Sequence, residues 1–348
     1  MSMSWHPDDY LERLYADTAP QYRYRARSLD EHARWRDSLR AQLIADLGGF
    51  PAQPAALEAH LLEEVPCSGY VRERVAFTTF AGLVMPSYVL APEGAEGKLP
   101  VVIACHGHGY GSKEIVGLNK SGEERADADD RGYQQDFAIE LAKRGFLVIV
   151  PELLGFGDRR LKQEYERDDY SSCHSISTYL LQVGHTMAGH RVYETIRAVD
   201  YARSRPDADA SRIGIMGISG GGLAAMFAAA LDERIRAAVV SGYINTFKDS
   251  ILAVHHCVDN YVPGLQRHAE MPDIACLIAP RPLLAESGTD DAIFPIAAAR
   301  SAIRRIREAY SLHGADAKLA QDAFAGDHRI SGAAAYDFLV RELDVRDS

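Results

Sequence analysis

Cysteine is scarce in this chain. Its 348 residues hold five, Cys67, Cys105, Cys173, Cys257 and Cys276, an odd number at wide spacings with no Cys-x-x-Cys. This argues against a disulfide framework and suits buried thiols in a reducing compartment. Basic charge is in deficit: 38 Lys and Arg stand against 49 Asp and Glu, a formal net charge of −11. That balance argues against nucleic acid or an anionic membrane surface as partner. Long apolar runs are also missing; none could span a bilayer. Residues 1–10 carry no apolar signal segment, so the expected location is the cytoplasm. There is no internal repeat and no low-complexity tract. What remains is ordinary for a globular protein, with 47% hydrophobic and 25% charged residues. The length fits one large α/β domain with decorations, or two domains.

Residues 8–47 read as helical. Leu11, Leu14 and Tyr15 share one face, Trp35, Leu39, Leu43 and Leu47 another, and Gly48-Gly49-Phe50-Pro51 ends the region. We expect residues 1–70 to form a helical extension packing on a main domain at 71–348. From Val71 the pattern changes. Strands are expected at 71–77 and 84–90, joined by a short antiparallel connection. Apolar strands then alternate with helices: strands at 99–105, 146–151, 212–216, 237–241, 281–285 and 318–324, helices at 135–144, 189–203, 297–312 and 332–343. Continuous apolar strands between amphipathic helices imply an α/β fold, a mostly parallel sheet covered on both faces. Ligands then bind beyond the carboxyl ends of the strands. Two longer segments, 110–132 and 243–278, fall at that edge and are expected to be lids or pocket walls.

The stretch Gly217-Ile218-Ser219-Gly220-Gly221 carries the chemistry. It reads Gly-x-Ser-x-Gly between an apolar strand (Arg212 to Met216) and an Ala-rich helix (Leu223 to Leu231). This is the context of a nucleophile elbow. The glycines allow the two arms of the turn to approach closely, and the helix N-terminus directs its unpaired N–H groups toward the serine. Alone, the pattern is equally that of a phosphate-cradling turn, so its partners decide. A serine nucleophile needs a histidine base, a carboxylate to orient it, and N–H donors for the oxyanion. Asp290 and Asp291 both follow the strand at 281–285, and spacing does not separate them. His328 follows the last strand; His313 instead ends a helix, as a cap would. Cys105-His106-Gly107-His108-Gly109-Tyr110 follows the strand at 99–105. The N–H groups of His108 and Gly220 are the expected oxyanion donors, with His106 bracing the loop.

Two histidine clusters look metal-like. His106 and His108 point to opposite sides of an extended chain and lack companion ligands in sequence. His255-His256-Cys257 with Asp259 is too closely spaced for the usual four-ligand zinc pattern. No metal is expected at either, and His255, Tyr110 and Tyr243 are read as pocket linings.

Taken together, His106-Gly107-His108-Gly109, Gly155-Phe156-Gly157-Asp158, the segment from Arg212 to Gly222, Ala279-Pro280-Arg281-Pro282, Gly288-Thr289-Asp290-Asp291-Ala292-Ile293-Phe294-Pro295 and Gly326-Asp327-His328 resemble the α/β hydrolase superfamily. More narrowly, they resemble its dienelactone-hydrolase-like, acetyl-xylan-esterase-like group. The resemblance spans about residues 70–345. It implies the α/β-hydrolase fold and a triad acid in a Gly-x-x-Asp-x-x-x-Pro pattern, which lands on Asp291. Dienelactone hydrolases place cysteine at the elbow, and haloalkane dehalogenases and epoxide hydrolases place aspartate, so serine here disfavours all three activities. The expectation is a serine esterase with Ser219, Asp291 and His328 as triad. It would act on a small-molecule ester, a small acyl group on a carbohydrate or other alcohol, with no cofactor. The sequence leaves homo-oligomerisation open. Two rivals share the elbow: a peptidase of prolyl-oligopeptidase type, whose propeller cannot be built from 70 residues, and a non-catalytic binding protein.

Overall fold

The computed structural model describes residues 5–127 and 130–345. Positions 128 and 129 of the expected 110–132 segment, and residues 1–4 of the stretch read for a signal, lie outside the described residues. In chain order, helices α1 (Asp8–Asp17) and α2 (Leu29–Asp46) precede strands β1 (His60–Cys67), β2 (Tyr70–Phe80), β3 (Leu83–Pro92) and β4 (Leu99–Cys105). Helix α3 (Phe137–Ala142) leads into β5 (Leu147–Pro151), then α4 (Lys162–Glu166), α5 (Cys173–Gln182), α6 (Met187–Ser204), β6 (Ala208–Ile218), α7 (Gly220–Leu231) and β7 (Ile235–Ser241). The chain closes with α8 (Met271–Cys276), β8 (Leu283–Gly288), α9 (Ile296–Leu312), β9 (Leu319–Phe324) and α10 (Ala335–Glu342).

The nine strands form one sheet in the order β1-β2-β3-β5-β4-β6-β7-β8-β9. Strands β4 to β9 run parallel, while β1, β2 and β3 are antiparallel additions, β3 joining β5. The apolar runs explain the centre. In β4, Val101, Ile103 and Cys105 face a core that also holds α2, α6, α7, α8 and α9 residues; Val102 and Ala104 face a second core with α3 and α10. A strand buried on both sides cannot alternate with polar residues, and this one does not. β2 alternates instead, burying Val75 and Phe77 while Ala76 and Thr78 stay half-exposed.

The N-terminal helices differ from each other. Leu39, Leu43 and Leu47 are fully buried against the main core, as their shared face implies. Leu11 and Leu14 are more than half exposed, and α1 buries no residue. The sheet also begins earlier than expected: β1 starts at His60 and pairs with β2, within the stretch assigned to a helical extension. Its outward Leu61 and Leu62 and the charged Glu63 and Glu64 give no clean period of two, which hid it from the pattern.

Three segments lie beyond the carboxyl ends of the parallel strands. Those at 106–127 with 130–136, and at 242–282, follow β4 and β7 and contain the described parts of the expected segments 110–132 and 243–278; 152–186, which carries α4 and α5 after β5, is a third. No helix among the described residues is long and apolar enough to cross a membrane.

Candidate active site

The turn from β6 into α7 puts Ser219 at φ +57° and ψ −123°. This is a left-handed backbone region that serine rarely occupies, and such strain persists only where the surroundings enforce it. Here they do. The Ser219 N–H donates to the Ser241 carbonyl at 3.1 Å. A Cβ on Gly217 would lie 2.2 Å from the Gly221 carbonyl oxygen, and one on Gly221 only 2.1 Å from that of Cys105. The two glycines let the arms of the turn, and the end of β4, come together.

Asp291 and His328 meet beside this turn. His328 Nδ1 lies 2.7 Å from Asp291 Oδ2. The other carboxylate oxygen, Oδ1, accepts from the N–H groups of Ile293 (2.8 Å) and Phe294 (2.9 Å). Burial raises the Asp291 pKa, but His328 and these two donors outweigh it and hold the carboxyl below its ordinary value. Asp290, by contrast, is exposed, and among the described residues its side chain accepts only a 3.5 Å hydrogen bond from Thr289. The β8 and β9 loops can touch because Gly288 has no side chain: a Cβ there would sit 2.3 Å from the Asp327 carbonyl oxygen. Tyr133 and Phe294 lie near-parallel to the His328 ring, with centroids 5.7 and 5.6 Å away. Gly242 leaves room for its Nδ1 edge. His328 Nε2 is shielded from solvent and has no hydrogen-bond partner among the described residues.

A cavity of about 310 Å³ is lined by Ser219, His328, His108, Tyr133, Tyr170, His255, His256, Cys257 and Ile293. Ser219 and His328 thus line one cavity, and neither the His108 nor the Gly220 N–H makes a hydrogen bond within the described residues. The loop carrying His108 is tied from several sides. Tyr133 donates its hydroxyl to the His108 carbonyl (2.6 Å), and Gln134 Oε1 accepts from the Gly107 N–H (2.7 Å). His106 is buried and contacts the Gly107 carbonyl, while its Nε2 accepts from the Leu153 N–H at 3.1 Å, the bracing role expected of it. Buried Glu152 accepts from the Ser112 N–H and hydroxyl. Burial pushes Glu152 up, but His106 and Ser112 reverse this and bring it to about 2.

Of the three expected pocket residues, only His255 reaches this cavity. Tyr110 turns away and donates its hydroxyl to the Leu118 carbonyl at 3.0 Å. Tyr243 is fully buried beneath Phe294 and α7, because Gly242, at φ +51°, reverses the chain just before it. The sequence reading missed Tyr133, Tyr170 and Ile293. It also missed a cluster at the cavity wall: ligand atoms of His108, Cys173, Cys257 and Asp259 all lie within 4.8 Å of one another. Cys257 and Asp259 belong to the group that the sequence reading set aside as too closely spaced for a metal, while Cys173 comes from α5 and His108 from the loop after β4.

This geometry agrees with what the chain resembles. A putative acetyl xylan esterase from Bacteroides fragilis superposes with a TM-score of 0.77 at 19% identity, covering 93% of this chain and 83% of that one. A glucuronoyl esterase from Solibacter usitatus does so with a TM-score of 0.67 at 15% identity, over 93% of this chain and 96% of that one. At these identities the likeness is one of fold. In sequence, the Bacillus subtilis protein named Putative hydrolase YtaP is 31% identical over 294 residues, 80% of this chain and 89% of its own length. The model of the Abhydrolase family matches residues 9–327, a span that takes in the N-terminal helices and stops one residue short of His328. With the nine-stranded sheet and the serine turn at the end of β6, that match settles the fold as the α/β-hydrolase fold, and the chain belongs to the Abhydrolase family.

Proposed function

We propose that the protein is a serine esterase in which Ser219, His328 and Asp291 act as nucleophile, base and orienting acid. The observation that carries this reading is the 2.7 Å contact between His328 Nδ1 and Asp291 Oδ2, with Nε2 left unpartnered in a cavity that Ser219 also lines. A carboxylate on Nδ1 holds the proton there and leaves Nε2 as the acceptor, the tautomer a serine base requires. His328 would take the Ser219 proton as the hydroxyl attacks an ester carbonyl, then return it to the leaving alcohol. Water would repeat the sequence on the acyl-enzyme. The N–H groups of His108 and Gly220 would hold the oxyanion, each worth about 10²–10³ in kcat.

The reading of substrate is a small acyl group on a carbohydrate or other alcohol. The acetyl xylan and glucuronoyl esterases that share the fold support it. So does the lining, in which Tyr133 and Tyr170 supply aromatic side chains and the histidines hydrogen-bonding groups, with no Lys or Arg among the described lining residues. A fluorophosphonate probe should label Ser219, and acyl esters of increasing chain length should show kcat/KM falling beyond short chains, with acetylated sugars turned over. Absence of a Ser219 adduct would sink the serine mechanism and favour a binding protein. Cleavage of aminoacyl amides as fast as esters would favour a peptidase.

A further inference from the structure

We propose that His108, Cys173, Cys257 and Asp259 form a zinc site, closed by four protein ligands, that fastens the loop after β4 to the 242–282 segment. The four ligand atoms lie within 4.8 Å of one another. They come from three separate parts of the chain: the loop after β4, the first residue of α5, and the turn at 257–259. Two sulfurs, one imidazole nitrogen and one carboxylate oxygen make a donor set for tetrahedral zinc, and thiolates disfavour calcium and magnesium.

Local geometry points the same way. His108 Nε2 is 3.1 Å from Asp259 Oδ2, yet the pair is not aligned as a hydrogen bond, and Nε2 is shielded from solvent with no hydrogen-bond partner among the described residues. A close approach without hydrogen-bond alignment leaves both atoms able to serve as ligands of one cation. Around zinc, nitrogen and oxygen ligands at about 2.0–2.2 Å stand roughly 3.3 Å apart when tetrahedral, close to the separation found. The surroundings supply outer support. Arg191, itself buried, donates to Asp259 Oδ2 and, at 3.0 Å, to Cys173 Sγ. Its position is fixed by bonds from Nε (3.0 Å) and Nη2 (2.6 Å) to the Leu154 carbonyl. Asn260 donates to Asp259 Oδ1 at 2.7 Å. Phe156 floors the site, edge-on to His108 and under the Arg191 guanidinium. Charge closes as well: two thiolates and a carboxylate are balanced by a divalent cation and Arg191, so the buried cluster is neutral with zinc and the hydrogen bonds to the ligands come from outside.

The site is structural in kind, since protein ligands take all four positions and none is left for water. Its consequence for the cavity is direct. Cys257 and His108 both line it beside Ser219, so the metal would fix two walls at once.

The test counts zinc, and therefore does not depend on any hydrolytic reading. Tag-free protein from zinc-supplemented cultures, dialysed under reductant, should carry about one zinc per chain by elemental mass spectrometry. Cys173→Ser and Cys257→Ser should lose it, and Cys67→Ser, whose thiol lies on β1, should keep it. Cobalt-loaded wild type should show intense tetrahedral d–d bands and a thiolate-to-cobalt charge-transfer band. If the serine variants do not fold, Cys257→His, which preserves four ligands, should retain zinc with a weaker charge-transfer band. Wild-type protein that holds no zinc after incubation with it, or equal zinc content in wild type and folded Cys173→Ser, would overturn the proposal. So would a metal-free Cys173–Cys257 disulfide found in the native protein by mass spectrometry.

Discussion

Replacing Asp291 by asparagine tests the active-site reading most sharply, because the structure dictates how the new amide must sit. Oδ1 accepts two backbone N–H bonds, from Ile293 and Phe294. A flipped amide would aim its NH₂ at both donors, so the amide oxygen must stay there. The NH₂ then faces His328 Nδ1, which in the native chain meets Oδ2 at 2.7 Å. A donor on that side forces Nδ1 to accept and moves the ring proton to Nε2, the atom that should receive the serine proton. The wrong tautomer in otherwise intact geometry costs about 10⁴ in kcat, which is about 5.5 kcal/mol of transition-state stabilisation. Folding should survive: one charge-assisted bond is lost, worth about 1.5–3 kcal/mol. The assay is kcat and KM on a short-chain ester, with thermal unfolding alongside. Asp290→Asn is the control; its carboxylate is exposed and outside the His328 contact, so activity should stay within about twofold, as for most surface changes. A folded Asp291→Asn enzyme within tenfold of wild type, or equal losses at 290 and 291, would refute the reasoning.

Other perturbations probe separate parts of the structure. Ser219→Ala should abolish esterase activity by at least about 10⁴-fold while leaving the circular dichroism spectrum unchanged. Gly221→Ala would press a Cβ to 2.1 Å from the Cys105 carbonyl oxygen and 2.5 Å from that of His106, so stability should fall by about 1–3 kcal/mol or more, read as a lower melting temperature and soluble yield. Glu270, buried where it caps α8, is pushed up by burial, against N–H bonds from Phe247 and Met271, from its ordinary 4.5 to about 7. The folded chain therefore keeps a proton that the unfolded chain releases, and stability should decline as pH rises from about 4.5 to about 7, by an order of magnitude of 3 kcal/mol from this group. Melting temperatures across that range should flatten in Glu270→Gln; an unchanged slope would show that another group sets it.

What the sequence disclosed follows from which interactions are local. The turn at Ser219 is written in adjacent residues, because strand, glycines and helix must all be contiguous. The parallel sheet is written in runs such as Leu147-Val-Ile-Val, buried on both faces. The choice between Asp290 and Asp291 was not legible from spacing, since one residue of turn geometry decides which carboxylate faces His328. Tyr110 and Tyr243 were misread for a similar reason. Each adjoins a glycine of positive φ, Gly111 and Gly242, and the chain direction there is set by backbone angles that residue type alone does not reveal. The cluster around Asp259 was half visible: Cys257 and Asp259 stand two apart, but Cys173 and His108 reach them only through the fold.

The strand order also governs when the cavity can exist. β4 pairs in parallel with β6, so that Val101 lies beside Ile213 across more than a hundred intervening residues. Each parallel pairing closes a long loop before it gains a ladder bond, and such topologies fold slowly. Ser219, Asp291 and His328 hang from the ends of β6, β8 and β9, and β9 follows the other eight strands of the sheet in chain order. A nascent chain thus presents Ser219 without the His328 imidazole until β9 and the loop after it have emerged. Refolding from denaturant should return hydrolytic activity only in the phase that docks β9 against β8.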